Sequence, residues 1–177
     1  MKQVVNYVRR NLKYARPANW NAGAKAIRRR LTKSGVFFAS EDLGMASLYP
    51  EQKIERILSL VQPKSVLDVG CGTGRTLSEI GRRGIAVLGV EASKAAIGAS
   101  GCPDRIFRHD LRRPLDLGRR FDLVWCFEVA EHIHSNYVDT FVDTLVRHSD
   151  VIVFSAAPPG QGGEGHFNEQ PAPYWIA

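Results

Sequence analysis

The sequence predicts an α/β domain with a doubly wound parallel sheet. The first observation behind this is the run Ser65-Val-Leu-Asp-Val-Gly-Cys-Gly-Thr-Gly74, in which a short apolar strand carrying Asp68 enters a loop with glycine at 70, 72 and 74. The second is that further apolar segments follow, each ending in a polar or acidic residue where a loop must begin. The third is that segments with helical apolar spacing lie between them, as expected for parallel strands joined by crossover helices.

Ser40 to Val61 leads into this domain. Ile54, Ile57, Leu58 and Val61 form a helical stripe after Pro50, a suitable first-turn residue, and Gln62-Pro63 ends that helix. Ser65 to Val69 is the first strand of the domain, and Arg75 to Arg83 the first crossover helix. Ile85 to Val90 is the second strand, ending in Glu91. Arg105 to Arg108 is a short third strand followed by His109-Asp110-Leu111. Phe121 to Phe127 is the fourth, running into Glu128-Val-Ala-Glu-His-Ile133, and Asn136 to His148 is the next helix. Asp150 to Ser155 is the fifth strand.

A glycine loop after a strand lets the backbone take φ > 0 and lets a ligand approach with no Cβ in the way. Two common chemistries for such a loop fail here. The dinucleotide fingerprint G-x-G-x-x-G would need glycine at Arg75 or Leu77, and no G-x-x-x-x-G-K-[ST] P-loop occurs. An acid seventeen residues past Gly74, at the end of the neighbouring strand, is placed to accept hydrogen bonds from ribose hydroxyls. Asp68-x-Gly70-x-Gly72-x-Gly74, with Glu91, Asp110 and Glu128 at later strand ends, resembles the class I S-adenosylmethionine (SAM)-dependent methyltransferases, which have a Rossmann-like fold.

The resemblance implies SAM as cofactor. It implies a binding site of Asp68, Gly70, Cys71, Gly72 and Gly74 in the first loop, and Glu91 and Ala92 at the ribose. Asp110 and the Leu111 backbone would meet the adenine, with Phe127 and Glu128 after the fourth strand. It also implies that substrate approaches over the loops after strands four and five. The latter, Ala156 to Pro171, is rich in glycine and proline. Its segment Gly165-His-Phe-Asn-Glu-Gln170, with Tyr174-Trp175, resembles small-molecule and sugar methyltransferases of the type 11 and type 23 kind. The implied reaction is in-line O-methylation of a small molecule or sugar. N-methylating relatives carry an Asn/Asp-Pro-Pro-aromatic tetrapeptide after strand four, where this chain has Cys126-Phe-Glu-Val.

A hydroxyl nucleophile loses its proton as the new bond forms, and a neutral imidazole suits that task. His166 is the first candidate base and His132 the second; the plainer role for each is to pin its loop by a hydrogen bond. An alternative groups Glu128, Glu131, His132 and His166 around one divalent cation. That set resembles the metal site of methyltransferases acting on the 2′-hydroxyl at the 3′ end of small RNAs. A further alternative is a non-catalytic, SAM-binding partner subunit.

Charge is uneven. Residues 1–40 hold ten of the 24 Lys and Arg and none of the 18 acids, so this segment carries about +10 and the rest about −4. Val4, Val5, Val8, Leu12 and Ala15 share a helical face, Pro17 and Asn19 break it, and Ala22 to Lys33 forms a second helix ended by Gly35. The expected organisation is thus a basic helical arm over 1–40 and a SAM-binding domain over 41–177. The arm either folds over the cofactor pocket or guides nucleic acid or an anionic membrane surface.

No apolar run approaches the roughly 18 residues of a membrane helix. Three cysteines without C-x-x-C spacing suggest reduced thiols and neither zinc nor disulfides, consistent with a cytoplasmic enzyme. The family sheet ends in an antiparallel hairpin, strands six and seven, for which no residues remain after Tyr174-Trp-Ile-Ala177. The expectation is a truncated or naturally minimal domain. Strand five would then be an exposed edge, covered by a partner subunit or by the N-terminal arm.

Overall fold

In the computed structural model, residues 36–39, 50–171 and 174–175 are described. The two expected helices of the basic arm lie outside the described residues, and with them the arm's proposed contacts to nucleic acid or membrane.

Six strands form one sheet, every pairing parallel. In chain order the elements are β1 (Val36–Ala39), α1 (Pro50–Val61), β2 (Ser65–Val69), α2 (Arg75–Gly81) and β3 (Ala86–Glu91). They continue with α3 (Lys94–Gly98), β4 (Ile106–Arg108), β5 (Leu123–Phe127), α4 (Val138–His148) and β6 (Val151–Ser155). The spatial order is β1-β6-β5-β2-β3-β4. From β2 the chain builds outward through β3 to β4, then returns to β5 and builds the other way. The direction reverses between β2 and β5, and ligands of such sheets bind at the carboxyl ends of the strands flanking that point.

Alternation along the strands divides the core. Leu67, Val69, Val124, Cys126, Ile152 and Phe154 pack on one face with Phe141, Val142 and Leu145 of α4. Val66, Leu123, Trp125, Val151 and Val153 pack on the other with Ile54 and Ile57 of α1 and Ile80 of α2. Strands buried on both faces read as continuous apolar runs, as the sequence of β5 and β6 does. The α1 stripe is the one its spacing predicts. Gln62 closes the helix in the left-handed region, with φ 51° and its N–H on the Leu58 carbonyl.

The expected elements are present with trimmed ends. Ile85, Phe121 and Asp150 precede their strands, and Arg105 belongs to a 3-10 turn over Pro103–Arg105. Another 3-10 turn, Ser135–Tyr137, occupies the expected start of α4, and α3 is an element the sequence pattern does not announce. Asp122 explains why β5 starts late. Its carboxylate accepts the N–H groups of Lys64 and Ser65 at 2.8 and 2.9 Å, tying the entrances of β2 and β5 together.

Of the two covers expected for the edge beside β6, a segment of residues 1–40 supplies one: β1 pairs with it from Val36↔Val151 to Ala39↔Phe154. Residues 36–39, expected at the end of a helical arm, are a strand. Among the described residues there is no antiparallel hairpin beside β6; the parallel β1 holds that position. None of the described helices is long and apolar enough to cross a membrane.

Candidate active site

The loop between β2 and α2 is shaped by glycine in the left-handed region at three positions, φ 78° at Gly70, 55° at Gly72 and 75° at Gly74. At Gly70 the need is also steric: a Cβ there would lie 2.4 Å from Val129 Cγ2, in the loop after β5. The two loops at the reversal point therefore touch through a glycine. The N–H groups of Gly70 and Cys71 both donate to the Val90 carbonyl, at 2.8 and 3.1 Å, which seats the loop on β3. At Gly72 a Cβ would meet nothing within 4 Å. Backbone here faces open space, as a cradle for a ligand requires.

Two acids converge on this cradle. Glu91, at the end of β3, accepts the Gly72 N–H at 2.8 Å and the Ser93 N–H at 2.7 Å. Asp68 is buried on β2, and its Oδ2 has no hydrogen-bond partner. Burial, and secondarily the nearby Glu91 carboxylate, push the Asp68 carboxyl up to about 7. An unpartnered buried carboxylate beside an open glycine loop suits a ligand that carries positive charge and polar donors. SAM carries a sulfonium, an ammonium and ribose hydroxyls, so the residues present fit it. Cys71, half-buried beside the same acids, has its thiol pushed up to about 12 chiefly by burial and is a packing group.

The remaining expected cofactor contacts are less uniform. Ala92 is exposed just past Glu91, and Leu111 is buried in the core. Asp110 is engaged within its own loop. It accepts the Arg112 backbone N–H and is clamped by the Arg112 guanidinium at 2.8 to 3.2 Å, which holds its carboxyl down at about 2. The Phe127 ring stacks on Trp125 at 4.7 Å and packs on the α1 face of the sheet, so Phe127 is positioned as packing for its strand end.

The loop after β5 begins at Glu128, a non-glycine residue with φ 55°. Ser155, at the end of β6, stabilises that conformation. It accepts the Glu128 N–H through its carbonyl and its hydroxyl, and donates its hydroxyl to Glu128 Oε1 at 2.6 Å. Glu131 follows in a 3-10 turn over Ala130–His132, fully buried, with both carboxylate oxygens unpartnered. Burial raises its carboxyl above the usual range.

Residues after β6 fold back onto this turn. The N–H groups of Phe167 and Asn168 donate to the Glu131 carbonyl at 2.9 and 3.0 Å. His132 Nδ1 lies 3.0 Å from the Gly165 carbonyl, an acceptor only, so Nδ1 carries the proton and Nε2 the lone pair. His166 Nδ1 lies 3.0 Å from Glu169 Oε1, which assigns it the same tautomer. The rings meet edge to face, with centroids 5.0 Å apart. One ligand atom from each of Glu131, His132 and His166 falls within 4.8 Å of the others. Glu128, grouped with them on sequence, lies outside this three-residue group; its Oε1 takes the Ser155 hydroxyl, while its carboxyl still neighbours that of Glu131 and helps raise it. Sequence reasoning misses Ser155 and Glu169. The three-residue spacing of His166 and Glu169 is the one signal available for the second.

A glycine loop and an acid at the ends of adjacent parallel strands, with a polar cluster across the reversal point, define a Rossmann-like nucleotide-cofactor domain of the class I SAM-dependent type. Residues 44–150 match the Methyltransf_23 family, described as a methyltransferase domain, and the chain belongs to that family. A ubiquinone biosynthesis O-methyltransferase from Rhizobium etli is 31% identical over 113 residues, covering 60% of this chain and 44% of its own length. Among solved structures, SAM-bound CalS10, an amino pentose methyltransferase from Micromonospora echinaspora, superposes with a TM-score of 0.56 at 19% identity, over 85% of this chain and 63% of that one. The sugar N-methyltransferase KedS8 from a Streptoalloteichus species superposes with a TM-score of 0.52 at 25% identity, over 70% of this chain and 54% of that one. The chain spans less than half the length of the curated relatives it matches. The family match ends before the loop that carries His166 and Glu169.

Proposed function

We propose that this domain transfers the methyl group of SAM to a hydroxyl of a small molecule, with His166 as general base. The observation that carries the reading is the His166 tautomer: with Nδ1–H donated to Glu169, the Nε2 lone pair is left to accept a proton. Asp68, the Gly70–Gly74 loop and Glu91 would hold the cofactor, with Asp68 facing its positive charge. SAM supplies an electrophilic methyl group whose leaving group is a neutral thioether. His166 Nε2 would take the proton of the acceptor hydroxyl as that oxygen displaces the thioether at the methyl carbon. Alignment of nucleophile and methyl, together with exclusion of water by the loops after β5 and β6, supplies the rest of the acceleration. The O-methyltransferase relative and the sugar methyltransferase neighbours support a small polar acceptor.

The test is a methyl-transfer assay over phenolic and sugar hydroxyl acceptors, with calorimetric SAM binding in parallel. His166→Ala is expected to lower kcat about 10²- to 10⁴-fold, the usual worth of a general base, with SAM affinity unchanged. An unchanged rate would remove His166 from this role.

One observation favours a second reading. Glu131 is buried with its carboxylate oxygens orphaned, and one of its ligand atoms lies within 4.8 Å of a ring nitrogen from each of His132 and His166, a donor set suited to a divalent cation. Such an ion would lower the pKa of a bound acceptor hydroxyl, with the imidazoles serving as ligands. Exhaustive chelation separates the two: the rate persists if His166 is the base and is lost, then restored by added Mg²⁺ or Mn²⁺, if the cluster holds metal.

A further inference from the structure

We propose that Glu169 is a positioning residue for His166, fixing its ring orientation and its Nδ1–H tautomer from within the loop after β6. This rests on the reading above, in which the His166 Nε2 lone pair does the work, whether toward a proton or a cation.

Three donors converge on this one carboxylate. Oε1 accepts the Gly162 N–H at 2.7 Å and His166 Nδ1 at 3.0 Å, and Oε2 accepts the Gly160 N–H at 2.8 Å. Two backbone amides thus aim the carboxylate, and the carboxylate aims the ring. Glycine also leaves room for the ring. A Cβ on Gly163 would lie 2.6 Å from His166 Cε1 and Nε2, so the ring rests against bare glycine backbone. Gly162 itself sits at φ 72°, a conformation that favours glycine. The glycine-rich segment is therefore a mould for one imidazole pose, with Glu169 as the charged contact in it. Carboxylate–histidine pairs of this kind set the tautomer and raise the basicity of the far nitrogen.

Gln is nearly isosteric with Glu yet cannot satisfy this arrangement. With its carbonyl at the Oε1 position, its NH₂ group faces the Gly160 N–H. With the amide turned over, the NH₂ faces both the Gly162 N–H and His166 Nδ1, and the ring must give up its Nδ1 proton. Asp keeps the acceptor chemistry on a shorter stem.

The experiment is ¹⁵N–¹H correlation of the His166 ring at alkaline pH, in the unliganded protein freed of metal with chelator, for wild type, Glu169→Gln and Glu169→Asp. His166→Ala identifies the signal. Wild type is expected as the Nδ1–H tautomer. Glu169→Gln is expected to shift the ring to Nε2–H or to a mixture of tautomers, and to lower kcat about 10- to 100-fold with the KM for SAM unchanged. Glu169→Asp is expected to recover a majority of Nδ1–H. A wild-type ring in the Nε2–H form overturns the proposal, as does Glu169→Gln with the Nδ1–H form and kcat both intact. The tautomer readout needs no acceptor and no turnover. If the tautomer responds but His166→Ala turns over normally, the catalytic reading fails and the positioning role stands.

Discussion

The two halves of the candidate site are held in place by different means. On the side proposed to hold the cofactor, the polar groups sit on strand ends. Asp68 is within β2, Glu91 is the last residue of β3, and the loop between them is anchored to the Val90 carbonyl by the N–H groups of Gly70 and Cys71. Position there follows from the sheet. On the side proposed to meet the acceptor, the polar groups sit on two irregular segments joined by hydrogen bonds: the Glu131 carbonyl to the amides of Phe167 and Asn168, His132 to Gly165, His166 to Glu169. Position there follows from polar contacts between loops. A fold built this way can hold one cofactor rigidly and still present different acceptors, because the acceptor side changes without touching the sheet.

The contrast can be broken from either side. The largest expected effect is on the acceptor side, where His166→Ala removes rate and spares both SAM affinity and stability; loss of the fold on its replacement would mean the loop supports the sheet. Next is Asp68→Asn. Its carboxyl titrates at about 7 in the unliganded fold against an ordinary 3.8, so the raised value favours the folded state below pH 4, and that contribution is lost as pH rises through 7. By linkage the loss amounts to roughly 4 kcal/mol. Unliganded wild type is therefore expected to lose stability between pH 4 and 8 in denaturant titrations, and Asp68→Asn to lose less. SAM affinity is expected to rise with pH through 7 in wild type, as the carboxylate that faces the cofactor charge ionises, and to be weak and flat with pH in Asp68→Asn.

Gly70→Ala comes third. A Cβ 2.4 Å from Val129 Cγ2, at φ 78°, is expected to cost about 2 to 4 kcal/mol and to weaken SAM binding. Adding Val129→Ala should recover part of both losses, since the contact between the two loops is then relieved; the double variant measures how far the two sides of the cleft are coupled.

The smallest effect lies away from the cleft. His148 is buried, donating Nδ1–H to the Thr144 carbonyl at 2.6 Å and accepting the Leu117 N–H on Nε2 at 3.0 Å. Burial lowers its pKa, so its contribution to stability is present above the ordinary value near 6.5 and is lost as pH falls through the lower, folded value. His148→Ala is expected to cost about 1 to 3 kcal/mol in chemical denaturation, the penalty for an unpaired buried amide, with SAM affinity unchanged.

Several features are legible in the sequence because they are local. Glycine at 70, 72 and 74 announces φ > 0, apolar runs of five or six residues announce buried strands, and the stripe Ile54, Ile57, Leu58, Val61 announces the face of α1. The acids at strand ends follow from those assignments, which places Asp68 and Glu91 beside the glycine loop. Asp110 shows the limit of that logic. Its place after β4 is correct, but Arg112, two residues on, clamps the carboxylate with its guanidinium, and a neighbour's side-chain direction is not written in spacing.

The α/β class, the core strands and the glycine cradle are thus properties of the chain's local pattern, because backbone conformation and burial period act over a few residues. Other features exist only once the chain has folded. The pairing of β1 beside β6 is one, the ring-to-ring meeting of His132 and His166 is another, and so is the orphaned Glu131 close to both. Folding also ties Glu128 to Ser155 beside Glu131, and sets Glu169 behind His166. These arrangements depend on segments far apart in the chain being brought together, and on hydrogen bonds whose partners are chosen by packing.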